Sequence, residues 1–268
     1  MSSFRIAFGL VFAGLALSAA PVYSTIPTPL PYNLPSLGYE ANQTSEFGSL
    51  IALNGGNPAT LVSATVVLSD WALESTYEKV GTSTGFFVPL TLTLYNTGAG
   101  WNVGAAIYTA TISAFVPWRP EADPTCGGGA WRAGDGNCYS GLAAEATFAL
   151  PAVSVPGQFI YGVAFNTADY GYSPTHVPGP YNSLNFALST VAPFVGTNPL
   201  PGTVYWNTST PGNYTDLGVA GVGIFRQDQN WLPYTPAVEF DAQVPEPSTL
   251  ALAAGGLALL LLRRYRRV

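Results

Sequence analysis

Short segments in which apolar and polar residues alternate constrain the fold of this chain most strongly. The clearest is residues 90–95, where leucines alternate with threonine and tyrosine, and residues 144–150 and 238–244 repeat the pattern. Such alternation buries one face of a β-strand and leaves the other face in solvent. Less regular candidates for strands are residues 60–68, 103–112, 159–165, 184–188, 204–206 and 222–225.

Turn-forming residues separate these segments, and the whole pattern predicts an all-β body. Nine short strands with Gly, Pro, Asn and Asp between them are typical of an antiparallel β-sandwich or jelly roll. Residues 70–80 are the place where one or two helical turns fit. Only 9% of the residues are charged, so the chain can bury a sizeable core rather than remain disordered. We therefore expect one β-sandwich domain over residues 41–244.

The first 24 residues have the layout of a secretory signal peptide. Arg5 supplies a positive charge, and residues 6–20 carry no charge and end in small residues. Cleavage after Ala20 and cleavage after Ser24 both remain open. The alternative, an uncleaved membrane anchor, would have a short apolar run. We expect a signal helix, export through the Sec machinery, and an extended leader over residues 25–40.

Residues 245–268 combine three elements in a fixed order. Pro245-Glu246-Pro247 comes first, thirteen apolar residues follow at 250–262, and a basic cluster closes the chain at Arg263, Arg264, Arg266 and Arg267. As a helix the apolar run rises about 20 Å, whereas the hydrocarbon core of a bilayer is about 30 Å thick. The arginines would hold the C-terminus on the cytoplasmic side. This predicts a C-terminal transmembrane helix of marginal length with the body facing outward.

This tail resembles the PEP-CTERM sorting signal of Gram-negative bacteria. The resemblance implies recognition by an exosortase, a membrane protease that processes the tail near Pro245-Glu246-Pro247. It also implies a protein of the cell surface or extracellular matrix that accompanies exopolysaccharide and biofilm. On this interpretation the C-terminal helix holds the protein in the inner membrane only until processing.

Two cysteines flank a glycine-rich segment in the middle of the body. Cys126 and Cys138 enclose eleven residues, five of them glycine. In an exported protein such a pair predicts a disulfide, with two free thiols as the alternative. Zinc would need further ligands, and His176 is the only histidine, so we expect no metal and no cofactor.

The loop between the cysteines is the most distinctive local feature of the body. One interpretation makes it a ligand-contact loop through Trp131, with Trp118 and Tyr139 nearby in sequence, because flat aromatic faces stack on sugar rings. The other interpretation folds Trp131 back onto the sandwich, since buried aromatic side chains are common.

Charge and residue content bear on the class of function. Between Pro21 and Val244 there are four basic and fourteen acidic residues, a formal charge of −10, which argues against binding nucleic acid. The lone His176 gives no catalytic triad. Glycoside hydrolysis would need two carboxylates, for which Glu121, Asp123 and Glu145 are candidates. We expect a non-catalytic surface or matrix protein, with a carbohydrate-binding module as the first alternative and a glycoside hydrolase as the second.

Overall fold

The computed structural model describes residues 17–77, 81–167, 180–215 and 223–245, together with residue 255. The chain divides into two compact units. Pro21–Ala242 forms the body, and the other unit comprises Met1–Ala20 and Gln243–Val268. Residues 17–24, the last eight of the predicted signal segment, form a β-strand and not a helix. The rest of that segment and, apart from residue 255, the predicted C-terminal helix lie outside the described residues. Within the described ranges, no helix has the length and apolar character needed to span a membrane.

Fifteen strands make up the described regular structure, and the helical segments among the described residues of the body are short 3₁₀ turns. The strands are β1 (Leu17–Ser24), β2 (Ser36–Leu37), β3 (Thr44–Ala52), β4 (Ala59–Asp70), β5 (Gly85–Thr97), β6 (Val103–Pro117), β7 (Trp131–Arg132), β8 (Cys138–Tyr139), β9 (Leu142–Val155), β10 (Gln158–Ala164), β11 (Leu184–Ser189), β12 (Thr203–Thr208), β13 (Arg226–Gln229), β14 (Thr235–Pro236) and β15 (Val238–Pro245). The 3₁₀ turns are Asn54–Gly56, Glu74–Thr76, Ala99–Trp101, Gly127–Gly129, Pro180–Ser183 and Pro211–Asn213.

Two large sheets and one small hairpin contain these strands. The first sheet has the order β1-β15-β4-β11-β14, with β9 also paired to β4 and β2 also paired to β11. The second sheet has the order β13-β12-β3-β10-β5-β6, and β7 pairs with β8. Every pair whose register is described is antiparallel. The predicted all-β, antiparallel architecture is confirmed.

The core lies between the two sheets. Phe159 of β10 meets Phe240 of β15 edge to face at 5.3 Å, and Phe47 of β3 meets Phe186 of β11 at 5.5 Å. Each contact joins one sheet to the other. Burial of apolar side chains between the sheets is the main favourable contribution to the free energy of folding.

The alternating pattern predicted the buried face of β5 correctly and its opposite face only in part. Leu90, Leu92 and Leu94 are fully buried; of the threonines between them, Thr91 is partly exposed, whereas Thr93 is also buried. Strand β3 was missed because almost all of it is buried on both faces, so its sequence does not alternate. The strand predicted at 222–225 instead begins at Arg226. The helical turns predicted within 70–80 reduce, among the described residues, to Glu74–Thr76.

The leader packs as part of the body. Ile26 and Leu34 are buried in a small cluster with Val67, Ala187 and Ala237, on the side of the first sheet away from the main core. Thr25 donates its hydroxyl proton to the carbonyl of Pro236 at 2.8 Å. The compact unit accordingly begins at Pro21 rather than at residue 41.

Strand β4 runs between two ends of the body. Leu61 pairs with Ala242, where the chain leaves the body toward its C-terminus. Asp70 pairs with Leu142 and with Leu184 at the other end of the same strand. Nine residues of strand separate these two points, which corresponds to about 30 Å.

Candidate functional site

The end of β4 at Asp70 carries the loop that the disulfide closes. Cys126 and Cys138 are bonded, with their Cα atoms 5.8 Å apart, which confirms the predicted disulfide. Next to the bond, Trp131 of β7 lies opposite Tyr139 of β8 in a two-stranded ladder. The glycine-rich segment is therefore a hairpin held at its neck by both a covalent bond and a short ladder.

Trp131 packs beneath this hairpin instead of projecting from it. Its side chain is 5% exposed, and its Nε1 donates a hydrogen bond to the carbonyl oxygen of Gly141 at 2.9 Å. A buried indole usually needs such a partner for its N–H group. The structure therefore supports the second interpretation of the loop, in which Trp131 folds back onto the sandwich.

Trp118 is also buried, at a different place. It is 9% exposed, donates from Nε1 to the carbonyl of Thr82 at 2.7 Å, and lies parallel to Tyr77 with ring centroids 6.3 Å apart. Of the three candidate contact residues, the structure brings together Trp131 and Tyr139, whose rings are 5.9 Å apart. The expectation that Trp118 and Trp131 present open faces to a ligand is corrected, because packing covers both indoles.

Two exposed aromatic residues that no sequence pattern indicates lie at this same end. Tyr32, 42% exposed, has its ring 5.9 Å from Trp131 and 5.8 Å from Tyr139. Trp71, 45% exposed, directly follows β4. We call Tyr32, Trp71 and Tyr139, with the disulfide loop and Trp131 below them, the aromatic pole.

A chain of polar contacts links Tyr32 to Trp71. Trp71 donates from Nε1 to the hydroxyl of Ser69 at 3.0 Å, and Ser69 donates to the side-chain oxygen of Asn33 at 2.8 Å. The carbonyl of Tyr32 accepts a hydrogen bond from the backbone N–H of Ala143 at 2.8 Å. Tyr32 lies in the leader and Trp71 directly follows β4. No local sequence pattern predicts that these two residues lie at the same end of the body.

A buried arginine anchors the disulfide loop to the sheet. Arg119 is 8% exposed, and its Nη1 donates to the carbonyl of Gly129 at 2.8 Å. Its backbone N–H donates to Asp70, which also accepts the N–H of Ala72 at 3.1 Å. Burial raises the pKa of Asp70 to about 7, and the N–H groups and the charge of Arg119 act in the opposite direction.

The loop and the residues just before it carry charged side chains that are held by short contacts. Arg132 forms an ion pair with Asp123 at 3.4 Å. The hydroxyl and N–H of Thr125 hold the pKa of Asp123 below its ordinary value. The hydroxyl of Tyr139 donates to Asp135 at 2.7 Å and lowers the pKa of that carboxyl, which in turn raises the pKa of Tyr139. Both carboxylates are therefore ionised at neutral pH.

The other residues that the sequence suggested for catalysis or metal binding do not lie together in one site. Glu121 and Glu145 are exposed, and Asp123 is engaged by Thr125 and Arg132. His176 lies outside the described residues. Among the residues that the structure describes, no group of three or more His, Cys, Asp and Glu side chains is placed to hold a metal ion.

A concave surface, separate from the aromatic pole, lies between the β11–β12 connection and the turn before β14. It is a half-open cavity of about 420 Å³ with a mainly apolar lining. Leu232 at its edge is 71% exposed, and no charged residue lines it. Its residues include Val191, Pro193, Pro201, Leu232, Tyr234 and Thr235.

An antiparallel β body with a structural disulfide, continued by a Pro-Glu-Pro tail, defines an exported protein with a C-terminal sorting signal. The C-terminal tail is the part of the chain that matches a known family. Residues 243–267 match the family model of the PEP-CTERM protein-sorting motif. The chain thus carries a PEP-CTERM sorting motif, which supports an exported protein sorted by an exosortase. No curated protein and no solved structure matches the chain.

Proposed function

We propose that this protein is a non-catalytic component of the cell surface or extracellular matrix, associated with the exopolysaccharide of a biofilm. The tail delivers the chain to the outer side of the inner membrane, and processing then frees it from that membrane for attachment at the cell surface or in the matrix through its new C-terminus. The body provides a rigid sandwich that presents the aromatic pole to the surroundings.

The main support for this proposal is the distance between the two ends of β4. The chain leaves the body beside Leu61, whereas the aromatic pole is attached beside Asp70, about 30 Å along the strand. A body tethered at Ala242 would therefore present the aromatic pole away from its point of attachment. This is the arrangement that suits a protein held at a surface and exposed to a matrix.

The arrangement of the candidate acids supports a non-catalytic role. A hydrolase of sugars needs two carboxyl groups facing each other across a cleft. Among the candidates, Glu121 and Glu145 are exposed, and Asp123 is held by Thr125 and Arg132. These contacts keep the Asp123 carboxylate charged, which does not suit a general acid.

The sorting part of the proposal is tested by the C-terminal peptide mass of protein recovered from the cell surface. In a host with an active exosortase, we expect the mature protein to lack residues 250–268. The Glu246→Ala variant should stay uncut and remain in the membrane fraction. Glu239→Ala, which changes an acidic residue of β15 instead, serves as the matched control and should be cut normally. Surface protein that still ends at Val268 would contradict the proposal.

A further inference from the structure

Three aromatic side chains of the aromatic pole remain at least partly open to solvent. Tyr32 and Trp71 are 42% and 45% exposed, and Tyr139 is partly exposed. We infer that Tyr32, Trp71 and Tyr139 form a binding platform for an uncharged polysaccharide. This inference rests on the proposed function and assigns its contact site and ligand class.

The platform is held in place before any ligand arrives. Trp71 is fixed by its backbone N–H, which donates to the carbonyl of Ser183 at 3.0 Å, and by its contact with Ser69. Tyr32 is fixed by Ala143 and by its packing against Trp131. Side chains that are already ordered lose little conformational freedom on binding, so more of the contact energy becomes affinity.

Two glycines make room for these rings. A methyl group placed on Gly141 would come within 2.6 Å of Nε1 of Trp71, and one on Gly134 would lie 2.8 Å from the hydroxyl of Tyr32. Contacts this close would displace the rings. The backbone at Gly134 in the loop and at Gly141 before β9 therefore approaches these two aromatic side chains as closely as the absence of a side chain allows.

The chemistry of exposed aromatic faces matches a sugar ring. One face of a pyranose presents several C–H groups, and an aromatic face carries the negative part of the ring quadrupole, which attracts them. The hydroxyl groups at the edge of the sugar need polar partners; Asn33 is the next residue in sequence after Tyr32, and Asp135 accepts a hydrogen bond from the hydroxyl of Tyr139. Trp71 and Tyr32 come from separate segments and can contact separate sugar residues of one polymer.

The charge at the aromatic pole selects against acidic polymers. Asp123 and Asp135 are ionised, and Arg132, which is paired with Asp123, is the basic side chain of the loop. The body as a whole has a formal charge of −10. A polymer of uronic acids would be repelled, whereas a neutral polymer would not be.

Affinity measurements on the full-length chain test the inference. The protein is purified in a polyoxyethylene detergent, which contains no sugar, and titrated with neutral glucan and mannan oligosaccharides, an oligouronate and the producer's own polysaccharide. We expect binding to at least one neutral polymer and no measurable binding to the oligouronate. Trp71→Ala and Tyr32→Ala should each weaken binding about tenfold, the loss of one aromatic contact.

Matched variants separate a lost contact from a lost fold. Phe87 is 54% exposed on β5, and Phe87→Ala should leave the affinity unchanged. Trp71→Phe keeps a ring and should recover part of the affinity, with an unchanged near-ultraviolet circular dichroism spectrum apart from the missing indole. Binding that prefers the oligouronate, that is absent for every polymer, or that survives both alanine changes overturns the inference. Because this assay does not depend on sorting, its failure is distinct from an uncut C-terminus.

Discussion

Trp131 donates the proton of its indole nitrogen to the carbonyl oxygen of Gly141 at 2.9 Å, within the neck of the disulfide loop. Gly141 immediately precedes β9, the long partner of β4. This contact attaches the hairpin to the end of the sheet, and the rings of Tyr32 and Tyr139 pack against the indole that makes it. The buried aromatic side chain supports the site, and its exposed neighbours form the surface.

Substitution of Trp131 should therefore lower the free energy of unfolding, because its buried side chain supports the site and does not form the exposed surface. We expect Trp131→Ala to reduce the free energy of unfolding by about 3–5 kcal/mol, the cost of removing a large buried aromatic side chain. Trp131→Phe should cost less, about 1–3 kcal/mol, because the carbonyl of Gly141 loses its partner while most of the packing remains. Urea unfolding monitored by circular dichroism measures both. A Trp131→Ala protein as stable as the wild type would show that the indole does not support the loop.

Loss of the disulfide should destabilise the body moderately. The bond joins two cysteines that are 12 positions apart in the sequence. In the chain-entropy treatment, a loop of this size contributes about 3 kcal/mol by restricting the unfolded state. We expect the double variant Cys126→Ala, Cys138→Ala to unfold at correspondingly lower urea concentration. In the unreduced wild-type protein, mass spectrometry should detect the linked peptide two hydrogens lighter, whereas two alkylated thiols would contradict the pairing.

Glu46 should make the stability of the body depend on pH. Burial raises the pKa of this carboxyl on β3 to about 7, while a hydrogen bond from the hydroxyl of Tyr95 acts in the opposite direction. The native state then keeps a proton that the unfolded chain releases above pH 4.5. The free energy of unfolding should fall between about pH 4.5 and pH 7, by up to about 3 kcal/mol.

The Glu46→Gln variant isolates this effect. Glutamine keeps the shape and a hydrogen-bond acceptor without the charge, so the variant should be more stable than wild type at pH 8 and similar at pH 4. Asp70 titrates in the same window in both proteins and cancels in the difference. Urea midpoints measured from pH 4 to pH 8 give the comparison. A difference between the two proteins that does not change with pH would contradict the assignment.

Gly48 should tolerate no side chain. It lies on β3 opposite Gly162 of β10, and a methyl group placed on it would come within 1.8 Å of the carbonyl oxygen of Tyr161. Because the obstacle is backbone, it cannot rotate away, and Gly48→Ala should cost more than about 3 kcal/mol or prevent folding. Gly212 has no atom within 4 Å of the same position. Gly212→Ala should therefore change stability by less than about 0.5 kcal/mol, as thermal unfolding would show.

Much of the fold was predictable because its signals are local. The alternation around Leu92 marks a strand with one wet face, and the spacing of Cys126 and Cys138 in an exported chain indicates a disulfide. Strand β3 gave no such signal, since both of its faces are covered and Glu46 and Gly48 look like turn or surface residues in sequence. Its place in the centre of a sheet follows only from pairing with β10 and β12.

The sequence by itself determined the class of the body, its disulfide and the sorting tail, since periodicity, a cysteine pair and a terminal motif are all properties of neighbouring residues. Only the tertiary structure decided which aromatic side chains are open. It buried Trp118 and Trp131, and it brought Tyr32 of the leader and Trp71, which follows β4, to the same end. The physical reason is that exposure depends on which strands pair and which faces they cover, and those partners lie far apart along the chain.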